Sequence, residues 1–273
     1  MTHSITQNAL RALLYEVVTQ PKPGLVDPVS SGPHLDMNIY TFIDSSLSLT
    51  NYFNSAENIG NTFNSEDLTQ MFFTLRKQGM KAEKEMFTAT NGVNTHKGAI
   101  FALGIFVCAE SYCQNKHTDL FSTIKQMCAG LVEHDLKLNN HAQTAGEKEF
   151  LCYGAGGARE QAEAGYPIVR DVALPFLKER RGTVQERLLD TLMKIATVTI
   201  DSNLIKRAGN YHVIAKLQRQ ANYYLQIGGA ATNAGRNYLA KLNNQFLAKN
   251  YSLGGCADLL IVTIFVALER NYF

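Results

Sequence analysis

At 273 residues, 45% hydrophobic and 18% charged with a formal net charge of +2, the chain is long enough to bury a sizeable core. It is too nearly neutral to make an electrostatic case for nucleic acid. Its five cysteines (Cys108, Cys113, Cys128, Cys152, Cys256) are odd in number and form no CxxC pair, which argues against a disulfide scaffold or structural zinc and for reduced thiols. The apolar stretches are too short or interrupted to span a membrane, and polar Met1–Gln7 lacks a signal-peptide core, so a soluble cytoplasmic protein is expected.

Ser4–Thr19 reads as a helix with a broad apolar face, capped by Ser4 or Thr6 and carrying Tyr15 and Glu16 near its end. Pro21-Lys22-Pro23-Gly24-Leu25-Val26-Asp27-Pro28 stops it, because proline lacks the N–H and clashes with the preceding turn. The resulting stiff loop holds Lys22 and Asp27 at low entropic cost, which suits a site. A second polar turn, Ser30–Asn38, carries His34 and Asp36. Asp36 is either a functional carboxylate or the N-cap of a helix from about Asn38 to Phe53. Asn54–Asn64 reads as a polar loop. Helical spacing resumes over Glu66–Phe87, where the methionines read as core filler.

The densest stretch is Asn91-Gly92-Val93-Asn94-Thr95-His96-Lys97-Gly98-Ala99-Ile100-Phe101. Asn94 or Thr95 is a good N-cap, Gly98 lets another group approach the first turn, and Lys97 sets a positive charge beside exposed N–H donors. Together these make an anion site, most often for phosphate. The plainer reading is a capped helix with Lys97 solvated and His96 on the surface. Gly98–Tyr112 is so apolar that burial on most sides is expected. Asp119–Lys137 is amphipathic, and Asn139–Gly146 is turn-like. In Tyr153–Pro167, glycines precede Arg159, and Glu163 falls on the same helix face: either a surface ion pair or a phosphate or metal-phosphate clamp.

Val169–Arg180, Val184–Val198, Ala215–Gln226 and Asn233–Leu247 continue the helical spacing. Asp201 is positioned to cap a helix, with Arg207 available to an anionic ligand. Ser252-Leu253-Gly254-Gly255-Cys256-Ala257-Asp258-Leu259-Leu260 opens the last helix, and Asp258, crowded by apolar neighbours, is read as facing a cleft rather than as a cap. No alternating strand pattern or internal repeat recurs. The fold expected is all-α, a single compact domain over residues 1–273 with about ten or more helices.

These glycine- or proline-rich turns each carry a charge beside an apolar helix. Gathered at one end of a bundle, they would bring cations (Lys22, Lys97, Arg159, Arg207) and carboxylates (Glu16, Asp27, Asp36, Glu163, Asp201, Asp258) to one pocket. Mixed charge of that kind suits a nucleoside polyphosphate held with magnesium.

Pro21-Lys22-Pro23-Gly24-Leu25-Val26-Asp27, Gly92–Phe101, Tyr153–Pro167, Asp201-Ser202-Asn203-Leu204 and Gly254–Leu260 resemble, in order, the motif series of the triphosphoribosyl-dephospho-CoA synthases. The resemblance runs from about Leu10 to the C-terminus. It implies an all-helical enzyme that takes ATP and 3′-dephospho-CoA, releases adenine and joins the triphosphoribosyl group to the acceptor's 2′-hydroxyl with inversion. The product would be the prosthetic-group precursor for the acyl carrier subunit of citrate lyase or malonate decarboxylase, passed to a carrier-protein holo-transferase. The chain departs from the family's pattern at Glu160, Gln161, Ala208, Leu253 and Cys256.

Cleaving the bond between ribose and adenine passes through an oxocarbenium-like state, so the site needs an acid for the base, a base for the hydroxyl and exclusion of water. On this reading Glu16 or Asp36 is the base or oxocarbenium stabiliser. Lys22, Gly24, Asn94, Thr95, His96, Lys97, Gly98, Arg159, Arg207, Gly254 and Gly255 hold the nucleotide, and Asp27, Glu163, Asp201 and Asp258 lie near magnesium. The rival classes are a nucleosidase or ADP-ribosyl-type hydrolase and a non-catalytic nucleotide-binding homologue.

Overall fold

Ser4 opens helix α1 (Ile5–Val18) with a reciprocal cap: its hydroxyl accepts from Gln7 N while the Gln7 side chain accepts from Ser4 N. That satisfies orphan donors of the first turn. The computed structural model describes residues 3–137 and 157–273; Cys152, the Asn139–Gly146 turn and Tyr153–Gly156 lie outside them. The remaining α-helices are α2 (Ile39–Ser48), α3 (Thr50–Thr62), α4 (Thr69–Ala89), α5 (Lys97–Lys116), α6 (Leu120–Met127), α7 (Gly157–Glu163), α8 (Leu174–Glu179), α9 (Val184–Ala196), α10 (Ser202–Ala208), α11 (Val213–Gln226), α12 (Asn233–Ala248) and α13 (Gly254–Glu269). Among the described residues there is no strand, only an isolated bridge between Asp27 and Ser30. The all-α expectation holds.

Two helices with no polar face form the centre. Helix α5 is buried almost continuously from Ala99 to Ser111, and α13 from Leu259 to Leu268. They pack on each other, and α1, α3, α4 and α9 pack around them. A helix apolar on all sides is stable only when enclosed in this way. Missing side chains allow the closest approaches: a Cβ on Gly60 would collide with the backbone at Cys108, and one on Gly104 with the Tyr52 ring. Tyr52 Oη donates to Ile100 O at 2.9 Å, tying α3 to α5.

Several expected boundaries move. The helix expected over Asn38–Phe53 is interrupted at Leu49, and the loop expected over Asn54–Asn64 is helical to Thr62. Tyr52, Phe53, Ala56 and Gly60 lie at helical spacing and bury against α5, so packing outweighs the polar composition. Asn38, not Asp36, caps α2, accepting from Tyr40 N and Thr41 N. The helix expected over Asp119–Lys137 stops at Met127, followed by a turn and a π-helical segment, Glu133–Lys137. The helix expected from Val169 begins as a π-helical segment, Ile168–Ala173, that runs into α8.

Candidate active site

The Pro21–Pro28 loop, the starts of α5, α10 and α13, and the end of α1 converge on one cavity of about 560 Å³, within the range of small-molecule and cofactor sites. Its wall includes Glu16, Asp36, Asn94, Thr95, His96, Gly98, Arg207, Gly254 and Asp258 of the expected site residues. His34, Asn203, Lys206, Asn250 and Ser252 also line it and were not singled out as site residues by the sequence reading.

The α13 side carries the carboxylates. Asp201 is fully buried and serves two helix starts: as N-cap of α10 its Oδ1 accepts from Leu204 N at 3.1 Å, and its Oδ2 accepts from Cys256 N in the first turn of α13 at 2.9 Å. Added Cβ atoms at Gly254 and Gly255 would crowd the Asn203 and Asp201 side chains, so these glycines let the two helix starts meet. Asp258 lies one turn into α13 over Gly98, where a Cβ would collide with its carboxylate. Desolvation, then the nearby Asp201 and Glu16, push the Asp258 carboxyl well above its ordinary value. It lines the cavity as a carboxylic acid that resists ionisation.

Glu16 lines the cavity from the end of α1. Its Oε1 lies 2.5 Å from Lys22 Nζ, which also donates to Glu16 O at 2.7 Å. Burial pulls the Lys22 ammonium below its ordinary value, against the pull of Glu16 and Asp27. Lys22 therefore holds Glu16 from behind the wall and does not itself line the cavity as a phosphate cation. Gly24, at φ +67, fits only because it has no Cβ, which would collide with Tyr251 O; it packs the loop and does not line the cavity.

The α5 end carries a hydrogen-bonded chain. Thr95 Oγ1 donates to Ser45 Oγ at 2.7 Å, and Ser45 Oγ lies 2.7 Å from His96 Nδ1. Neither Asn94 nor Thr95 caps α5: His96 occupies the N-cap position, and no side chain caps this end. His96 is 2% exposed, stands edge-on to Phe42, and its Nε2 has no hydrogen-bond partner among the described residues. Burial, then Lys22, pull its pKa down to about 3.

Cations sit on the α10 side. Arg207 Nη1 donates to Asn250 O and Oδ1 at 3.1 and 2.8 Å, and its Nη2 lies 3.2 Å from His34 Nε2. Burial and Arg207 lower the His34 pKa, with Asp36 opposing them. Asp36 is 63% exposed and lines the same rim.

The other expected residues fall elsewhere. Lys97 pairs with Glu83 at 2.9 Å, and Arg159 donates to Asp135 at 2.9 Å. Both line a separate cavity of about 390 Å³. Successive helical residues point in different directions, so Lys97 faces away from the wall that its neighbours His96 and Gly98 form. The expected magnesium set does not assemble. Asp27 accepts from Lys22 N, Val29 N and Ser30 N, organising its own loop, and Glu163 accepts from Gly130 N and Val132 N after α6. With Asp201 spent on two helix starts, only Asp258 of that set lines the cavity. Among the described residues no group of three or more His, Cys, Asp or Glu could hold a metal ion, so these four carboxylates do not form one metal site.

The departures from the motif pattern at Gln161, Leu253, Ala208 and Cys256 are structural. Gln161 Oε1 accepts from Ile168 N, Leu253 is buried, Ala208 packs against the core, and Cys256 meets Asp201 through its backbone.

The scaffold is all-helical, with a polar cavity that is acidic on one side and cationic on another. The chain matches the family model described as CitG, ATP:dephospho-CoA triphosphoribosyl transferase, over residues 2–273; it belongs to that family. It is 51% identical over 275 residues to a probable 2-(5″-triphosphoribosyl)-3′-dephosphocoenzyme-A synthase of Lactiplantibacillus plantarum, covering 99% of this chain and 98% of that one. It is 39% identical over 267 residues to a protein of the same description from Citrobacter koseri, covering 95% and 88%. It is also 50% identical over 277 residues to Protein CitXG of Leuconostoc mesenteroides subsp. cremoris, covering 98% of this chain but 59% of that longer one. No solved structure matches the chain. Among the described residues, no helix is long and apolar enough to cross a membrane.

Proposed function

We propose that this chain transfers the triphosphoribosyl group of ATP to the 2′-hydroxyl of 3′-dephospho-CoA and releases adenine. The product is the prosthetic-group precursor of the citrate lyase or malonate decarboxylase acyl carrier protein, passed on to a carrier-protein holo-transferase. The observation that carries this reading is the pair of carboxyl groups on one cavity wall: Asp258, resisting ionisation, and Glu16, ion-paired with Lys22. Two carboxyls in contrasting environments are how glycosyl chemistry separates its acid from its base.

Asp258 gives its proton to a ring nitrogen of adenine as the C1′–N9 bond breaks, and the bonding pair leaves with the base. The acceptor 2′-oxygen bonds to C1′ as its proton passes to Glu16. The Asp258 and Glu16 protonation states are then reset by proton exchange. Arg207 and Lys206 face the triphosphate, and Asp36 sits beside them at the open rim. Magnesium enters, if bound, on the nucleotide's phosphates rather than in a protein cage.

N7-methylated ATP tests the assignment, because its base leaves without needing a proton. With ATP, D258N should lose about 10²- to 10⁴-fold in adenine release, the usual size of general-acid help. With the methylated substrate the loss should shrink to within about tenfold, while E16Q should stay impaired on both. Equal losses for D258N on the two substrates would remove Asp258 from the acid role.

A further inference from the structure

The reaction leaves the buried imidazole of His96 without a task. Its Nε2 is the unusual atom: out of solvent and without a partner among the described residues, in a residue that lines the cavity. A buried polar nitrogen left unmatched is costly, so it marks a place where a ligand atom belongs.

The neighbouring hydroxyls settle which kind of atom. Thr95 donates its proton to Ser45 Oγ, and His96 Nδ1 is the one other hydrogen-bond partner of that oxygen among the described residues, which assigns the Ser45 proton to Nδ1. A neutral imidazole accepting at Nδ1 carries its proton on Nε2. Nε2–H is therefore a donor without an acceptor in a cavity-lining residue, fixed in place by Ser45 of α2 and Thr95 of the turn before α5. The surroundings select among acceptors. Phe42 stands 4.9 Å from the imidazole, and Val26, Met37 and Ile261 add apolar wall to the same cavity. A phosphate would lose hydration there for a single neutral donor, whereas Arg207 and Lys206 serve it elsewhere. A flat heteroaromatic ring with unprotonated nitrogens fits both the wall and the donor.

We propose that the adenine of ATP lies against Phe42 and that His96 Nε2–H donates to one of its ring nitrogens, with Thr95 and Ser45 fixing that tautomer. The assignment rests on ATP occupying this cavity. His96 thereby acts as a specificity residue for the base and positions it for departure.

Binding of ATP, 1-deaza-ATP, 3-deaza-ATP and 7-deaza-ATP, measured calorimetrically without acceptor, tests this. Wild type should bind one analogue about tenfold or more weakly than ATP and the other two nearly as well. H96N, whose amide cannot reach the Nε2 position, should bind that analogue and ATP alike; H96Q, whose amide can, should restore the difference. S45A supplies a second variant should H96N not fold, and it should narrow the discrimination by freeing the tautomer. Equal binding of all analogues by wild type, retained discrimination in H96N, or no ATP binding would overturn the proposal. Transfer is not needed for this readout: discrimination without any transferred product would leave His96 in place and remove the transferase reading alone.

Discussion

Lys22 Nζ lies 2.5 Å from Glu16 Oε1, and the two side chains are only 1% and 4% exposed. A buried pair of this kind holds its geometry because neither charge has water to turn to. Replacing Lys22 with methionine strands the Glu16 carboxylate, and the expected loss is about 3–5 kcal/mol of folding stability, read by urea denaturation. Wild-type stability with selectively weakened ATP binding would instead make Lys22 a phosphate ligand.

Lys97 and Arg207 separate the two cavities experimentally. Lys97 is nearly half exposed and pairs with Glu83, so K97A should change both stability and the KM for ATP little, because such pairs are worth about 0–1 kcal/mol. Arg207 lines the proposed site and is held by Asn250 and His34. R207A should raise the KM for ATP roughly tenfold or more, the cost of about 1.5–3 kcal/mol in charged hydrogen bonds. Steady-state kinetics on both variants decides between the cavities; the reverse ranking would move the triphosphate to the Lys97 side.

Asp201 holds the starts of α10 and α13 together. Each lost capping bond is worth about 0.5–2 kcal/mol, so D201A should destabilise by roughly the sum of two such bonds and also shift Asp258. Thermal unfolding together with adenine release should fall in the same variant. A loss confined to activity would argue that Asp201 acts on substrate.

The raised Asp258 pKa has a stability consequence with a definite sign. The folded chain keeps this proton above the pH at which the unfolded chain releases it, so stability falls as pH rises from the ordinary carboxylate range toward the raised value. D258N removes that contribution. Its stability relative to wild type should grow through this window and be highest once wild-type Asp258 would be forced to ionise, while its transfer activity with ATP is lost. Urea midpoints measured between acid and neutral pH check the trend; a constant difference would mean that Asp258 ionises normally.

Much of the architecture was legible because burial leaves a linear trace. The unbroken apolar run after Gly98 announced α5 as a central helix, and Asp201 announced its helix as a cap. What escaped depends on distance in the chain. Ser45 reads as one more serine in a helix until folding sets it against His96, and Asn54–Asn64 looks like a polar loop until α5 supplies the surface against which Ala56 and Gly60 bury. Lys97 and His96 are adjacent in sequence yet line different cavities, a difference of helix phase that composition does not carry. Asp27 and Glu163 were read as metal ligands because charge beside glycine signals a site; both carboxylates instead satisfy backbone N–H groups of tight turns.

The most direct measurement is mass spectrometry of the chain incubated with ATP, with and without 3′-dephospho-CoA. The account predicts free adenine and triphosphoribosyl-dephospho-CoA in matching amounts only when the acceptor is present. Adenine release at the same rate without acceptor would make the protein a hydrolase, and ATP binding with no adenine in either case would make it a binding module; each result would contradict the transfer described above.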